Sequence, residues 1–215
     1  MDDEKTPPRK YELKKRAADM AETKRRITEA AVELHGTVGP ARTTMSAVAR
    51  RAGVQRHTVY RYFPTEAELF AACSAHFDAA YPWPDPEAWL ELADPRERLE
   101  HALDELYAYY ERTEPMYSNV LRDAELVAAL DAALEPQAAL LARYAEILAT
   151  GRPERGRRRL VVEAVLAHVL SFEAWRSLAI GGRLSRADVV RLAAALVAAA
   201  GARSSPSRGA RCWRS

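Results

Sequence analysis

The stretch from Met45 to Pro64, MSAVARRAGVQRHTVYRYFP, limits what this chain can fold into more than any other segment. Its first half predicts a short helix that ends at Gly53, where a tight turn needs a positive φ that glycine adopts cheaply. Val54, Val59 and Tyr62 supply apolar contacts for a second helix. We therefore predict two short helices that cross steeply through a turn of about 3–4 residues.

The start of the second helix carries hydrogen-bonding, cationic and aromatic side chains. These residues are Gln55, Arg56, His57, Thr58, Tyr60 and Arg61. Such a face suits the base edges of a DNA major groove and the phosphates beside them. An ordinary corner between two helices with a solvated face is the alternative, and the polar face together with its flanks favours DNA.

The run from about Thr23 to Phe77 resembles the DNA-binding domain of TetR-family transcriptional regulators. The resemblance rests on Ile27-Thr28-Glu29, Ala30-Ala31, Gly39, Thr43-Thr44, Val48-Ala49, Ala52-Gly53-Val54, Thr58-Val59-Tyr60-Arg61-Tyr62-Phe63-Pro64 and Glu68-Leu69-Phe70. This run covers about a quarter of the chain, and the rest fits the family only in length and pattern.

Three positions depart from the family pattern. His35 stands where the family usually has phenylalanine, and Pro40 where it usually has an aromatic residue, which weakens the small core. Glu66 stands where the family often has a lysine that contacts the DNA backbone, and a glutamate repels phosphate.

Composition favours an all-α protein, because the Leu- and Ala-rich stretches contain few β-branched runs. Charge is distributed unevenly: residues 1–66 carry 14 Lys and Arg against 9 Asp and Glu, whereas residues 67–201 carry 14 against 21. A positive end on an acidic body fits a nucleic-acid reader whose body does not touch DNA.

We predict four regions along the chain. Residues 1–22 form a basic, partly disordered extension, in which the part from Lys10 is either a helix or a flexible arm. Such an arm can lie along phosphates or enter the minor groove, and a solvated extension without DNA contact is the equal alternative. Residues 23–66 form a three-helix helix-turn-helix domain, in which Thr44 caps the helix from Met45 and offers an anion site. Residues 67–201 form a helical bundle for ligand binding and dimerisation, as the resemblance implies, and residues 202–215 form a disordered tail.

The body is predicted to contain interrupted long helices. One helix covers Arg96 to Arg112, and a shorter segment starts at Glu114-Pro115. The pattern from Leu126 to Ala149 is helical, with Pro136 either in a first turn or at a kink. The segment from Arg159 to Ile180 is apolar almost all round and predicts one helix covered on two sides.

The last helix opens at a capping box, Ser185-x-x-Asp188, and is rich in alanine. Its candidate dimer-interface residues are Val189, Leu192 and Leu196. The resemblance implies a homodimer held by a four-helix bundle, with two such helices from each subunit. A monomeric core is the alternative.

Aromatic residues of the body form a candidate small-molecule site, since apolar cavities between bundled helices are common ligand sites. The candidate ligand-binding residues are Tyr107, Tyr110, Tyr117, Tyr144, His168, Phe172 and Trp175. His168, Phe172 and Trp175 fall at i, i+4 and i+7 and would share one helix face. Taken singly, each aromatic residue fits a plain core, and the resemblance is what implies a ligand pocket.

Motifs for catalysis are absent from the sequence: it has no phosphate-cradling glycine loop, no Cys/His metal spacing and no nucleophile elbow. Cys73 and Cys212 make neither a disulfide framework nor a metal cluster. We expect no enzyme activity, no cofactor and no metal. The sequence also shows no signal peptide and no membrane-spanning run, which predicts a soluble cytoplasmic protein.

Taken together, the residues and the resemblance predict a ligand-responsive transcriptional regulator, more a repressor than an activator, that binds a palindromic DNA operator as a homodimer. Gln55, Arg56 and His57 would read base edges. The residues that would hold phosphates or thymine methyl groups are Thr44, Thr58, Tyr60 and Tyr62. The alternative is a helical enzyme or small-molecule carrier with a vestigial helix-turn-helix domain.

Overall fold

The structure, a computed structural model, describes residues 9–202, with side chains from residue 12 onward. The all-α prediction is confirmed, because helices and no strand occur among those residues. The helices are α1 (Arg9–Thr37), α2 (Met45–Ala52), α3 (Arg56–Tyr62), α4 (Glu66–Ala80), α5 (Pro86–Trp89), α6 (Pro95–Asp123), α7 (Ala129–Ala149), α8 (Arg157–Val169), α9 (Phe172–Arg176) and α10 (Arg186–Gly201). Short 3-10 turns lie at Pro40–Arg42 and Ala124–Leu126, and a π-helical turn lies at Ser177–Gly181.

The described residues divide into two compact units. The first is drawn from Met1–Trp83 with Glu111–Ala138, and the second from Pro84–Tyr110 with Ala139–Ser215. Helices α1–α4 belong to the first unit, and α5 and α8–α10 to the second, while α6 and α7 contribute residues to both.

The core of the first unit joins α1 to the three helices that follow it. Its buried members include Ile27, Ala31, Val48, Ala49, Val59, Phe63, Leu69 and Cys73. The predicted cap at Thr44 is present, because its side chain accepts from the Ala47 N–H, and the Thr65 side chain caps α4 by accepting from the Glu68 N–H. Each cap satisfies an N–H that the first helical turn leaves without a partner.

His35 belongs to this core as well. Its side chain is 4% exposed, and its ring stacks on Phe70 with the centroids 4.9 Å apart. Burial lowers the pKa of His35 to about 4, so the ring packs in its neutral form. Pro40 is also buried. Both departures from the family pattern therefore fill apolar space.

Cys73 lies on α4 in the same core. Its Sγ is 3.9 Å from the carbonyl oxygen of Thr28. Burial raises the pKa of the Cys73 thiol to about 12. Cys212, like the rest of the predicted tail beyond residue 202, lies outside the described residues.

The N-terminal extension is helical from Arg9 and continues without a break into the first domain helix. Of the two alternatives for this segment, the structure has the helix. Residues 1–8 lie outside the described part of the chain.

The predicted interruption at Pro115 is wrong, because α6 runs through it. Pro115 is exposed, whereas Thr113 and Tyr117 on either side are buried. Packing of this buried face outweighs the helix hydrogen bond that proline cannot make. Pro136 lies inside α7, beyond its first turn.

The predicted single helix from Arg159 to Ile180 is also wrong. Helix α8 ends at Val169, and the Ser171 side chain begins α9 by accepting from the Ala174 N–H at 3.2 Å. The hydroxyls of Tyr107 and Tyr110 donate to the carbonyls of Val169 and Leu170, at 2.8 and 2.7 Å. These bonds satisfy the carbonyls that the break leaves without helical partners.

Helices α8 and α10 pack against each other in the second unit and bury Val162, Leu166, Val189 and Val197. The predicted cap of α10 is present, because the Ser185 side chain accepts from the Asp188 N–H. No helix within residues 9–202 has both the length and the apolar composition of a membrane span.

Candidate nucleic-acid interface

The turn between α2 and α3 is built on Gly53, which has φ 66° and ψ 38°. The Val54 N–H donates to the Ala49 carbonyl at 3.0 Å, and the Gly53 N–H donates to the Arg50 carbonyl at 3.3 Å. This pair of bonds closes the end of α2 in the pattern typical of a left-handed glycine cap. The predicted positive φ at Gly53 is confirmed.

One side chain of α1 supports this turn and a second contacts the residue after α3, and no sequence pattern indicated either contact. The Arg26 guanidinium donates to the carbonyls of Ala52 and Gly53, the latter at 3.3 Å. The Lys24 Nζ lies 5.5 Å from the ring centroid of Phe63, which follows α3 directly. These partners lie far from α1 in the sequence, so no local motif reports the contacts.

The structure leaves most of the predicted DNA-contacting side chains open to solvent. The exposed ones are Thr44, Gln55, Arg56, His57, Tyr60 and Arg61, and the half-buried ones are Thr58 and Tyr62. Val59 is fully buried and anchors the opposite side of α3 in the core. The helix therefore presents one polar face and fixes the other.

Tyrosine rings hold the two arginines of α3. The Arg56 Nη2 donates to the Tyr60 hydroxyl at 3.2 Å, and its guanidinium lies 5.5 Å from the centre of that ring. The Arg61 guanidinium lies 5.2 Å from the ring of Tyr62. Such contacts reduce the freedom of a long cationic side chain before any ligand arrives.

A cleft of about 350 Å³ opens beside this face. Thr44, Arg56 and Tyr60 line it, so the structure brings together three of the predicted contact residues from α3 and the start of α2. Glu66 lines the same cleft and adds a negative charge at its edge. A phosphate bound here would meet the Thr44 hydroxyl, the Arg56 guanidinium and the Tyr60 hydroxyl, and it would be repelled by the Glu66 carboxylate.

The last turns of α6 hold the end of α1, another feature that the sequence did not suggest. The Asn119 Nδ2 donates to the carbonyls of His35 and Gly36, at 3.1 and 2.8 Å. The Arg122 guanidinium donates to the Val38 carbonyl at 3.2 Å. Together these bonds satisfy carbonyls at the C-terminus of α1.

Four of the predicted ligand-binding residues form an aromatic cluster in the second unit. Tyr110 lies 5.4 Å from Phe172 and 5.7 Å from Trp175, and Tyr107 lies 6.5 Å from Tyr110, all measured between ring centroids. All four rings are buried. The Trp175 Nε1 is buried without a hydrogen-bond partner among the described residues.

The other predicted ligand-binding residues lie apart from this cluster. Tyr144 packs on Trp89, with centroids 4.6 Å apart, and Tyr117 packs on Trp83 in the first unit. His168 is exposed near the end of α8. The interpretation that His168 shares a helix face with Phe172 and Trp175 is wrong, because the chain breaks at Ser171.

The candidate dimer residues divide in two. Val189 is buried within its own chain, whereas Leu192 and Leu196 are 49% and 47% exposed. On the adjacent helix α8, Leu160 and Val161 are exposed as well.

No group of three or more His, Cys, Asp or Glu side chains within the described residues could hold a metal ion.

Residues 27–73 match the family described as bacterial regulatory proteins, tetR family. No curated protein matches the chain. The match covers the C-terminal part of α1 from Ile27, all of α2 and α3, and the first half of α4, and so includes the Gly53 turn and the exposed face of α3.

Solved structures extend the likeness to the body. A TetR-like transcriptional regulator from Rhodococcus sp. RHA1 is similar over 81% of this chain and 93% of its own, with a TM-score of 0.58 and 21% identity. A tetR-family transcriptional regulator from Streptomyces coelicolor is similar over 82% and 81%, with a TM-score of 0.52 and 18% identity. FadR from Thermus thermophilus, a TetR-family transcriptional repressor in complex with lauroyl-CoA, is similar over 86% and 99%, with a TM-score of 0.54 and 22% identity. The chain therefore carries a TetR-family helix-turn-helix domain and has the fold of the TetR-family transcriptional regulators.

Proposed function

We propose that this chain is a transcriptional repressor that acts in the cytoplasm, binds a palindromic DNA operator as a homodimer and is released by a small molecule. The observation that carries the proposal is the polar face of α3, held rigid by the Gly53 turn and open to solvent. Arg56, His57 and Gln55 read base edges, while Thr44, Thr58, Tyr60, Arg61 and Tyr62 contact phosphates or thymine methyl groups.

Dimerisation is supported by the outward side of the α8–α10 pair. Leu192 and Leu196 are large apolar residues left exposed on α10, and Leu160 and Val161 are exposed on α8, the helix that packs against α10. A second copy of the same pair covers them in a four-helix bundle. In the dimer two recognition helices about 34–36 Å apart then match a two-fold symmetric site.

The aromatic cluster supports ligand binding in the second unit. Tyr107, Tyr110, Phe172 and Trp175 form an apolar patch, and the buried Trp175 N–H offers a donor that lacks an acceptor. A ligand that opens this cluster can bring an acceptor to that N–H. FadR, a structure of the same fold, holds lauroyl-CoA, which makes an apolar effector the first class to test. To lower the affinity for DNA 100-fold, the effector must bind the DNA-free conformation more favourably than the DNA-bound one by about 2.7 kcal/mol.

The deciding experiment is a binding titration of the purified protein against the DNA upstream of its own coding sequence, with an unrelated duplex as competitor. We expect specific binding, and Arg56→Ala should relax preference at one or two base pairs by about 1–3 kcal/mol each. Tyr62→Phe serves as the matched variant, because it removes one hydroxyl, leaves the bond from Arg56 to Tyr60 intact and should weaken all sequences alike. No preference for any duplex over random DNA would support the helical enzyme or carrier instead.

A further inference from the structure

The early part of α1, residues 12–22, contributes no buried side chain to the core. Every residue from Glu12 to Glu22 is exposed, and burial of the α1 side chains begins only near Ile27. A helix of this length is marginal in water on its own, so its stability calls for a partner.

The exposed segment is basic at its tip. Residues 9–16 include five Lys and Arg against one Glu. Among the side chains described there, Lys14, Lys15 and Arg16 form no ion pair with any described residue, whereas Arg25 farther along α1 is paired with Glu22 and Glu29. The tip thus carries cationic charge that no described residue neutralises through an ion pair.

The contacts of α1 fix the direction in which this tip projects. At the C-terminal end of the helix, His35 and Gly36 are held by Asn119 of α6. In its middle, Arg26 and Lys24 contact the helix-turn-helix turn and the residue that follows α3. The segment before Thr23 therefore extends past the recognition helix, away from α6.

We propose that the segment Glu12–Glu22 is a second DNA-binding element, in which Lys14, Lys15 and Arg16 hold phosphates that flank the site read by α3. The proposal rests on the DNA binding proposed above. At about 1.5 Å per residue, the helix from Arg9 to Glu22 reaches roughly 21 Å, or about six base pairs at 3.4 Å each.

A second copy of the chain is the competing occupant. Leu13 and Met20 are 63% and 58% exposed, and they continue the seven-residue spacing of buried Ile27. Two copies of a tip with five cationic residues and one acidic residue would repel each other, however, whereas DNA attracts them. Charge therefore favours DNA.

The test combines Lys14→Gln, Lys15→Gln and Arg16→Gln in the full chain. These exposed positions leave the core untouched, and glutamine keeps a good helix propensity. The matched control is Arg155→Gln, Arg157→Gln and Arg158→Gln, which removes the same charge from exposed arginines of the second unit. Fluorescence anisotropy measures affinity for the upstream duplex and for an unrelated duplex over a range of salt concentrations.

We expect the triple variant to lose roughly tenfold or more in affinity on both duplexes at low salt. The slope of log affinity against log salt should fall by up to about 2.7 per bound subunit, because each lost phosphate contact contributes about 0.9. The control should keep the wild-type slope. Hydroxyl-radical footprints of the triple variant should lose protection at the outer ends of the site.

Five outcomes would overturn the proposal. An unchanged slope and footprint in the triple variant would remove the segment from the DNA while leaving the proposed function intact. An equal loss in the control would assign the effect to net charge. If the triple variant lost affinity only for the upstream duplex, the segment would read bases rather than hold phosphates. If light scattering showed the triple variant to be a monomer, the segment would instead pair with a second copy of the chain. Failure of the wild-type protein to bind either duplex would end both proposals.

Discussion

The Asp123 carboxylate accepts a hydrogen bond from the backbone N–H of Ala41, with Oδ2 and nitrogen 3.0 Å apart. Asp123 is 3% exposed, and the Nε of Arg122 donates to its Oδ1 at 2.8 Å. The Arg122 guanidinium lowers the pKa of the Asp123 carboxyl from its usual 3.8, so the group stays ionised. The end of α6 thereby holds the loop that leads into α2.

Asp123→Ala should destabilise the first unit by about 1–3 kcal/mol, because the Ala41 N–H and Arg122 lose their buried acceptor. Urea denaturation followed by circular dichroism measures the change. Asp131→Ala is the control, since Asp131 is exposed in the first turn of α7 and should cost no more than about 1 kcal/mol. Equal effects of the two variants would show that the Asp123 bond contributes nothing specific.

Gly39→Ala should disturb the same contact from the other side. Gly39 has φ 94°, and a Cβ at this position would collide with the side chains of Arg122 and Asp123. Backbone strain of this kind costs about 1–3 kcal/mol, and the displaced carboxylate adds to it. Gly181→Ala is the control, since nothing lies near a Cβ there. A melting temperature unchanged by Gly39→Ala would mean that the loop rearranges freely.

His35 should make the stability of the first unit depend on pH. Burial lowers its pKa from 6.5 to about 4, so between these values the unfolded chain binds the proton more readily than the folded one. The stabilisation by neutral His35 is therefore present above about pH 6.5 and is lost as the pH falls towards 4.

Going from pH 7 to pH 5 should cost the wild-type protein about 2 kcal/mol more than His35→Phe, as measured by urea denaturation at each pH. His168→Gln is the control, because His168 is exposed on α8 and should leave the wild-type pH profile unchanged. Identical profiles for wild type and His35→Phe would mean that the His35 ring is solvated.

Leu192→Glu combined with Leu196→Glu should convert the proposed dimer to a folded monomer. Both side chains are about half exposed in the single chain, so only association would desolvate the new charges, at a cost of several kcal/mol. Light scattering and circular dichroism separate the two effects. Leu126→Glu, at a residue 74% exposed, should leave the mass unchanged. A stable dimer in the double variant would place the interface elsewhere.

Interactions between residues close in the chain made the helix-turn-helix and the start of α10 predictable from the sequence. The turn at Gly53 and the caps at Thr44 and Ser185 are made with partners within a few residues, so the local sequence predicted each of them. The same reasoning was wrong at Pro115, because packing of the buried residues on either side keeps α6 helical through the proline. Contacts such as Asn119 with Gly36 join residues 83 positions apart, and no local pattern marks them.

The aromatic residues illustrate a related limit. Composition identified a set suited to a pocket, but spacing could not say which of its members meet. The cap at Ser171 ends the helix that would have aligned His168 with Phe172. Tyr107, Tyr110, Phe172 and Trp175 come together because two tyrosine hydroxyls bond to carbonyls at that break.

Because Cys73 is buried, the rate at which its thiol is alkylated measures how often the domain opens. A thiol whose pKa is near 12 is almost wholly protonated at neutral pH, and alkylating reagents attack the thiolate. In a Cys212→Ser variant, in which Cys73 is the remaining cysteine, the alkylation rate therefore reports how often α4 separates from α1. Binding of DNA to the folded domain should lower the logarithm of this rate in proportion to the stability that it adds.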